Sequence, residues 1–542
     1  MIKVSVVIPV YNPGSYLQAC VDSLTSQSLP ADEYEVIFVD DGSTDESPRY
    51  LDSVAAEHPQ LRVIHQENSG WPGQPRNVGI DAARGEYVFF CDNDDWLGKQ
   101  ALERLYEFAS SCGSDVVLPK MAGIGRPVPY HVFVETVRAC SLDDSPIRDS
   151  LTPHKLFRRA FLDEHRIRFP EGKRRLEDHL FVSTAYLLAR TISIYADYTC
   201  YFHIRREDSS NAGFRRIDWP EYFENLSESL DGVVARTDPG PVRDRILRRW
   251  LELEMVQRLS GRRRVRMDEV EAGNLLAAAQ PVAQRYFSQG VVALLPPIVR
   301  PVGRAIIEGD GEAIRRRATE IARWTVHPRL LQVDWTADRL QIAGTVGLTD
   351  GDDGRAALRF AELLGGEGRG VDLWDPAFSW LRLDLAERRT GERWFVPATV
   401  HPAGVLASFT ADLNPRAIAA GRRLPKGLWD LNAQLVVLGL HDRRRVTLTR
   451  ERQPGTVLPE PVTGDARPRM AAYFTRQTSA LCLDVGVIKH PSLRRRPAPP
   501  HQPEHEAAAS PPVPRSHANH PTKRPFSPIA RVARRARRIV SG

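Results

Sequence analysis

Cysteine is scarce: six residues in 542, at positions 20, 91, 112, 140, 200 and 482, with no CxxC pair and no zinc-ligand spacing. That excludes a disulfide-stapled scaffold, and the several thiols that fall in apolar runs read as core residues in a reducing compartment. Long hydrophobic stretches are missing too. No run approaches the roughly 18 apolar residues that a membrane span needs. Val4–Val10 begins a strand almost at once, without the pattern of a secretory leader. A GxGxxG turn after that first strand is absent, which argues against a dinucleotide cofactor. There is no internal repeat. Nor is there an acidic excess: 74 Lys and Arg face 68 Asp and Glu, a formal charge of +6. The basic surplus gathers locally, above all near the C-terminus, so it speaks for local anionic contacts and against a nucleic-acid-binding fold. The expectation is a cytoplasmic protein that meets a membrane only from its surface.

The densest positive signal is Gly85-Glu86-Tyr87-Val88-Phe89-Phe90-Cys91-Asp92-Asn93-Asp94-Asp95-Trp96. Tyr87 to Cys91 is an apolar run of strand length, rich in β-branched and aromatic residues, and reads as a strand buried on both faces. It runs into three carboxylates, which are costly at the end of a buried strand unless something cationic meets them. On an extended segment the side chains of Asp92 and Asp94, two apart, point the same way. Two hard oxygen donors so placed suit Mg²⁺ or Mn²⁺, which completes its shell with water and a substrate's phosphates. The alternative is an acidic turn in which Asp94 or Asp95 caps a helix from about 99 to 110.

Residues 1 to about 110 alternate strands and helices. A helix near 15–26 follows the first strand, and the second strand, Tyr34 to Val39, ends in Asp40-Asp41-Gly42-Ser43-Thr44-Asp45. A helix from about 46 to 58 leads to a third strand, Leu61 to His65. This βαβαβ rhythm predicts an α/β fold, a doubly wound, mostly parallel sheet with its site at the strands' C-terminal ends. Both acidic motifs fall at such ends. The loop from Asn68 to Asn77 is too rich in Gly and Pro for regular structure before Arg76. It offers backbone N–H groups and a guanidinium to a phosphorylated ligand, or else is a plain surface turn. Glu177 and Asp178 read either as first-turn helix acids or as a general base. Arg205, Arg206, Ser209 and Ser210 follow an aromatic strand, 198–203, and either bind a diphosphate or form a solvated charge run.

Four segments follow from the patterning. Residues 1–217 form the α/β domain, and 218–326 form a helical linker in which no chemistry is evident. In 327–486 the apolar period changes to two, as in Trp380-Leu381-Arg382-Leu383-Asp384-Leu385, which predicts an antiparallel β-sandwich for assembly or polymer contact. Residues 487–542 are rich in Pro, Arg and His and read as a disordered tail.

Val6-Val7-Ile8-Pro9-Val10-Tyr11-Asn12, Val39-Asp40-Asp41-Gly42-Ser43-Thr44-Asp45, Arg76-Asn77-Val78-Gly79 and Asp92-Asn93-Asp94-Asp95, in that order, resemble the inverting glycosyltransferases of family 2 with the GT-A fold. A narrower similarity is to the wall teichoic acid β-N-acetylglucosaminyltransferases that modify poly(ribitol phosphate). It is carried by Asn68 to Asn77, Lys120-Met121-Ala122-Gly123, Val134-Glu135-Thr136, Pro153-His154-Lys155-Leu156 and Leu176 to Phe181, and by the linker-then-sandwich layout. The resemblance implies metal-dependent transfer, with Mn²⁺ or Mg²⁺, of N-acetylglucosamine or another hexose from a UDP-sugar. The acceptor it implies is a hydroxyl of an anionic cell-wall or capsular glycopolymer, and the product a β-glycoside. It implies that Pro9, Asp41, Asn68 and Arg76 hold the uracil and ribose, with Asp40 in support. Asp92 and Asp94 would meet ribose, diphosphate and metal. Asp178 would be the catalytic base, Glu177 would seat the sugar or acceptor, and Arg206, Ser209 and Ser210 would close on the diphosphate. The sandwich forms trimers in such enzymes, so a homo-oligomer is implied. This chain departs from the pattern at His179, where relatives carry glutamine, and at Trp71 in the donor loop.

The set is chemically coherent: an acceptor hydroxyl needs a carboxylate within reach, and a departing UDP needs positive charge. A nucleotidyltransferase also uses strand-end aspartates, but it would want a Gly- and Lys-rich loop where Val10-Tyr11-Asn12-Pro13 stands. A catalytically silent polymer-binding protein would have no need of Asp92, Asp94 and Asp178. At the far end, Ile529, Val532, Ala533, Ala536, Ile539 and Val540 recur at helical spacing, with arginines mostly on the other side. That pattern suits the anionic inner face of a cell membrane, or a solvated tail.

Overall fold

The computed structural model describes residues 1–207, 216–336, 339–351, 356–365, 372–448, 457–458, 470–475 and 477–486. Ser209, Ser210 and the basic C-terminal segment lie outside the described residues. Among the described residues no helix is long and apolar enough to cross a membrane.

The first strand, β1 (Val4–Val10), is buried at all seven positions, which requires cover on both faces. Parallel β2 (Tyr34–Asp41) and β3 (Leu61–Gln66) extend the sheet on one side, and parallel β4 (Tyr87–Phe90) lies on the other. Helices α1 (Leu17–Thr25), α2 (Ser47–Glu57) and α3 (Gly73–Ala82) make the crossovers. The order β3-β2-β1-β4 reverses between β1 and β4. A crevice therefore opens past the carboxyl ends of those two strands, where Pro9 and Asp92 stand.

Beyond β4 the sheet becomes mixed. It is completed by β5 (Trp96–Leu97), β6 (Val116–Ile124), β7 (Val137–Cys140), β8 (Leu156–Arg158) and β9 (Ile192–Ile204), in the order β4-β8-β6-β9-β5 with β7 on β9. β8 runs antiparallel to both β4 and β6, while β6 and β9 are parallel. The helix expected over 99–110 is α4 (Ala101–Cys112), and its N-cap is Gln100 without a side-chain cap bond, so no carboxylate of the acidic turn caps it. Next come α5 (Arg159–Glu164) and α6 (Glu177–Leu188), the second of which carries the Glu177-Asp178 pair.

A helical region follows: α7 (Trp219–Arg236), whose N-cap Asp218 accepts from Glu221 N–H, and α8 (Pro241–Trp250), which runs into a π-helical turn at Leu251–Val256. Five further helices, α9 (Gly261–Arg266), α10 (Glu269–Tyr286), α11 (Gln289–Ala293), α12 (Arg300–Glu308) and α13 (Gly311–Ala322), complete it. One apolar core runs unbroken from Val4 to Ile314, so the α/β sheet and these helices are packed as one body.

A second core, from Ile298 to Val485, fills an antiparallel sandwich. One sheet contains β10 (Thr325–Thr336) and β11 (Arg339–Thr349), and the other contains β12 (Trp380–Glu387) and β13 (Arg393–Val396). β14 (Ala398–Ala403) and β15 (Leu406–Leu413) extend the first sheet, and β16 (Gly427–Val437) with β17 (Leu440–Arg445) the second. Exposed and buried residues alternate along all of β15, the period of two expected for this segment.

A chain ended after Arg323 keeps the first core and is expected to melt cooperatively. A chain ended after Asp218 loses Trp219, Tyr222, Phe223, Leu226 and Leu230 from that core. At about 1.5–3 kcal/mol per large apolar side chain, the loss equals the whole stability of an ordinary domain. Thermal melts followed by circular dichroism should show a transition for the longer chain and none for the shorter.

Candidate active site

A cleft of about 1580 Å³ opens at the switch point between β1 and β4. Pro9, Asp41, Asn68, Arg76, Asp92, Asp94, Glu177, Asp178 and Arg206 all line it. The two aspartates that end β2 divide their work because successive strand residues face opposite sides. Asp41 ties the donor loop to the sheet: it accepts from Gln66 Nε2 at 2.7 Å, Ser69 N–H at 3.0 Å and Ser69 Oγ at 2.9 Å. Asn68 Nδ2 donates to the Asp41 carbonyl at 2.8 Å. Asp40 does not line the cleft. It accepts from Ser43 N–H at 3.0 Å and from His65 Nδ1 at 2.8 Å, which raises the imidazole's pKa, and so shapes the turn after β2 from behind.

Arg76, on the first turns of α3, is 4% exposed and bridges two parts of the cleft. Its Nη2 donates to Asp92 Oδ1 at 3.0 Å and its Nη1 to Glu177 Oε1 at 3.1 Å. Trp71 Nε1 donates to the other Glu177 oxygen at 2.9 Å, so both oxygens of that carboxylate are taken. Asn77, one residue on, exchanges two hydrogen bonds with the Phe169 backbone and fixes the segment leading toward α6.

Residues 92–95 form a turn and not an extended segment: Asp95 N–H donates to the Asp92 carbonyl at 3.1 Å. The three carboxylates still repel one another, and each is met by its own set of donors. Asp92 meets Arg76 and, at 3.1 Å, His154 Nε2. Asp94 accepts from Arg206 Nε at 2.7 Å, while Arg206 Nη2 donates to Asn93 Oδ1 at 2.9 Å. Asp95, fully buried, accepts from Tyr201 Oη at 2.5 Å and Ile204 N–H at 2.7 Å. Burial opposes ionisation of Asp92, but His154 and Arg76 outweigh it and hold the carboxyl well below the usual range. Burial, with Asp94 and Asp92 adding to it, pushes Asp95 well above that range.

The residues present fit a divalent cation. One ligand atom each from Asp92, Asp95, His154 and His203 lies within 4.8 Å of the others. Among the described residues His154 Nδ1 and His203 Nε2 are buried without a hydrogen-bond partner, while His154 Nε2 faces Asp92. A carboxylate and imidazole set of this kind suits Mn²⁺ and its neighbours. The pair expected from sequence, Asp92 with Asp94, is divided: Asp92 joins this cluster, and Asp94 turns to Arg206.

Leu176 enters α6 in the left-handed region, φ +63°, a strained conformation for a branched residue that sets Glu177 and Asp178 at the cleft. Among the described residues Asp178 accepts only from His179 N–H, its own helix neighbour, at 2.9 Å. Burial and the Glu177 charge push its carboxyl up to about 7, against Arg76. Lys155, 1% exposed, donates to Ser150 Oγ at 3.2 Å and to the Thr152 carbonyl. Burial pulls its ammonium down to about 7, against the Asp178 charge. His179 is buried and pulled down to about 3, so it is a neutral imidazole.

The far wall comes from the helical region. Tyr222 of α7 and Arg249, Glu254 and Arg258 form a linked set: Glu254 accepts from Tyr222 Oη at 2.6 Å, Arg258 Nη2 at 2.8 Å and Arg249 Nη1 at 3.0 Å. Tyr222, Glu254, Arg258 and Arg263 line the cleft, as does Arg175 before α6. The sequence offered no sign of this role. These residues sit in ordinary helical charge patterning, and only the packing of α7 against α6 brings them to the site. His203 was hidden in an aromatic strand, and His154, though part of the Pro153-His154-Lys155-Leu156 motif, carried no sign of a ligand role.

The model of the glycosyl transferase family 2 matches residues 5–165, and that of the glycosyl transferase TarS linker domain matches residues 220–318. A poly(ribitol-phosphate) beta-glucosyltransferase of Bacillus spizizenii is 41% identical over 238 residues, 44% of this chain and 37% of that protein. The poly(ribitol-phosphate) beta-N-acetylglucosaminyltransferase TarP of Staphylococcus aureus is 32% identical over 239 residues, 43% of this chain and 72% of that protein. Among solved structures, a fragment of S. aureus TarS, residues 1–349, in complex with UDP-GlcNAc is similar at 29% identity and a TM-score of 0.53. It covers 63% of this chain and 96% of the fragment.

Arg76→Ala leaves the buried Glu177 and the half-buried Asp92 without their shared cation and is expected to destabilise the chain by about 3 kcal/mol, read as a lower urea midpoint. Arg76→Lys should recover only part, because an ammonium cannot fork to both Asp92 and Glu177.

Proposed function

The chain belongs to glycosyltransferase family 2, and on that premise we propose that it moves glucose or N-acetylglucosamine from a UDP-sugar to a hydroxyl of a poly(ribitol phosphate)-like polymer. The observation that carries this reading is one cleft with two opposed chemistries. Asp178, in no ion pair among the described residues and with its carboxyl pushed up to about 7, stands on one side. The Asp92 to Asp94 turn with Arg76 and Arg206 stands on the other.

Pro9, Asp41 and Asn68 line the end where the nucleotide binds. Arg206 and Arg76 hold positive charge where the diphosphate departs. Asp178 accepts the proton of the acceptor hydroxyl as its oxygen bonds to the anomeric carbon and the bond from that carbon to UDP breaks. A single displacement inverts the carbon and gives a β-glycoside. A divalent cation held by Asp92 with Asp95, His154 and His203 supplies charge neutralisation for the diphosphate when bound. Arg175, Arg258 and Arg263 give the cleft a basic rim on the helical side, suited to the phosphodiesters of an anionic acceptor. The poly(ribitol-phosphate) relatives support that choice of polymer, and the UDP-GlcNAc complex of TarS supports the donor.

Asp178→Asn is expected to lower transfer about 10²- to 10⁴-fold and to leave UDP affinity unchanged, since the base touches the acceptor and not the nucleotide. Retention of half the wild-type rate in a UDP-release assay would remove Asp178 from this role. The base works ionised, so kcat/KM should fall as pH drops through about 7, not through the ordinary carboxylate range near 4. UDP affinity measured by calorimetry should rise with Mn²⁺, and equal affinity with and without the ion would exclude the metal.

A further inference from the structure

The sandwich is seated on the two strands that enter the cleft. Lys120 of β6 is buried with its ammonium 3.0 Å from the centre of the Trp394 ring, and Thr199 Oγ1 of β9 donates to Glu392 at 3.0 Å. Arg422 donates to the Asp197 carbonyl just before them. Tyr130 sits at the centre of this contact. Gly123 N–H donates to its Oη at 2.8 Å, its hydroxyl donates to the Gly391 carbonyl at 2.9 Å, and the Arg393 guanidinium lies 3.7 Å from its ring centre. Gly391, at φ +68°, lies backbone to backbone against Gly123, and a Cβ there would overlap the Gly123 carbonyl oxygen. Charged and hydrogen-bonded contacts of this kind are directional, so they hold one arrangement where an apolar face would allow several.

Between the two fixed points, Gly123 and Tyr130, the chain turns and presents Arg126 to the cleft. Among the described residues no hydrogen bond or ion pair holds the Arg126 guanidinium, and its charge acts on Asp94 and His203. We propose that the docked sandwich, through Gly391 and Tyr130, holds Arg126 where it binds phosphate oxygens of the substrates. Arg126 is the group that meets the ligand, and Tyr130 and Gly391 are positioning residues. The inference rests on the transferase reading above. The phosphate belongs either to the donor diphosphate or to the acceptor phosphodiester, and the test separates the two.

Full-length wild type, Arg126→Gln, Gly391→Ala, the double variant and Gly404→Ala are compared by steady-state transfer and by UDP calorimetry. Gly404 has the same backbone demand, φ +62°, but nothing within 4 Å of an added Cβ, so its alanine variant isolates strain in the sandwich from the wedge against β6. Arg126→Gln and Gly391→Ala should each lower kcat/KM about tenfold or more, as expected for lost hydrogen bonds to a charged group. The double variant should be no worse than Arg126→Gln alone, because the second change acts through the first. Both single variants should shift the same constant: UDP affinity for the donor diphosphate, acceptor KM for the phosphodiester. If Gly391→Ala does not fold, Tyr130→Phe, which removes only the bridging hydroxyl, takes its place. Losses that multiply in the double variant, shifts in different constants, or an equal loss in Gly404→Ala would overturn the proposal. A wild-type chain that neither binds UDP nor transfers sugar would refute the transferase reading itself and this inference with it.

Discussion

A single buried guanidinium joins the parts of this site. Arg76 contacts Asp92, at the end of the central strand β4, and Glu177, at the start of α6, a hundred residues further on. Brought to one guanidinium, the buried Glu177 and the half-buried Asp92 would repel each other without it. With the cation between them, the crevice made by the reversal of strand order and the helix that carries Asp178 are locked face to face. Trp71 extends the same link to the donor loop through the second Glu177 oxygen. The loop expected to grip the nucleotide and the acid pair expected to act on the acceptor are thus mechanically continuous.

The parts legible in the sequence share one property: their function follows from neighbours in the chain. A buried strand running into carboxylates demands cations, and Arg76 and Arg206 are those cations. A βαβαβ rhythm fixes which strand ends share a crevice, so Pro9, Asp41 and Asp92 are found together. What stayed hidden depends on contacts across long separations. His154, His203 and Asp95 gather only because β8, β9 and the acidic turn are brought together in the fold. The shared direction of Asp92 and Asp94 failed for a local reason, since 92–95 turns so that each carboxylate can reach a separate donor.

The charge pattern also has a logic that composition concealed. The chain's small net charge is the sum of tightly compensated networks, such as Glu254 with Arg249 and Arg258. Buried charges in such sets contribute little net stability, but they fix geometry. Lys155 and Asp178 differ, because neither is closed into an ion pair among the described residues, and burial brings both near neutrality. The site thus holds its free protonic capacity at Lys155 and Asp178 and its fixed charge around them.

The π-helical turn at Leu251–Val256 has an evolutionary implication. Each residue added to or removed from a helix rotates everything beyond it by about 100°. The widened turn sets the direction of Arg258, two residues beyond it, which faces the cleft. Deleting one residue there would restore an ordinary helix and swing Arg258 away from the cleft, leaving the strands of the sheet untouched. A lineage could therefore change the charge this wall presents to the cleft through a one-codon length change, a far shorter path than rebuilding it by successive substitutions.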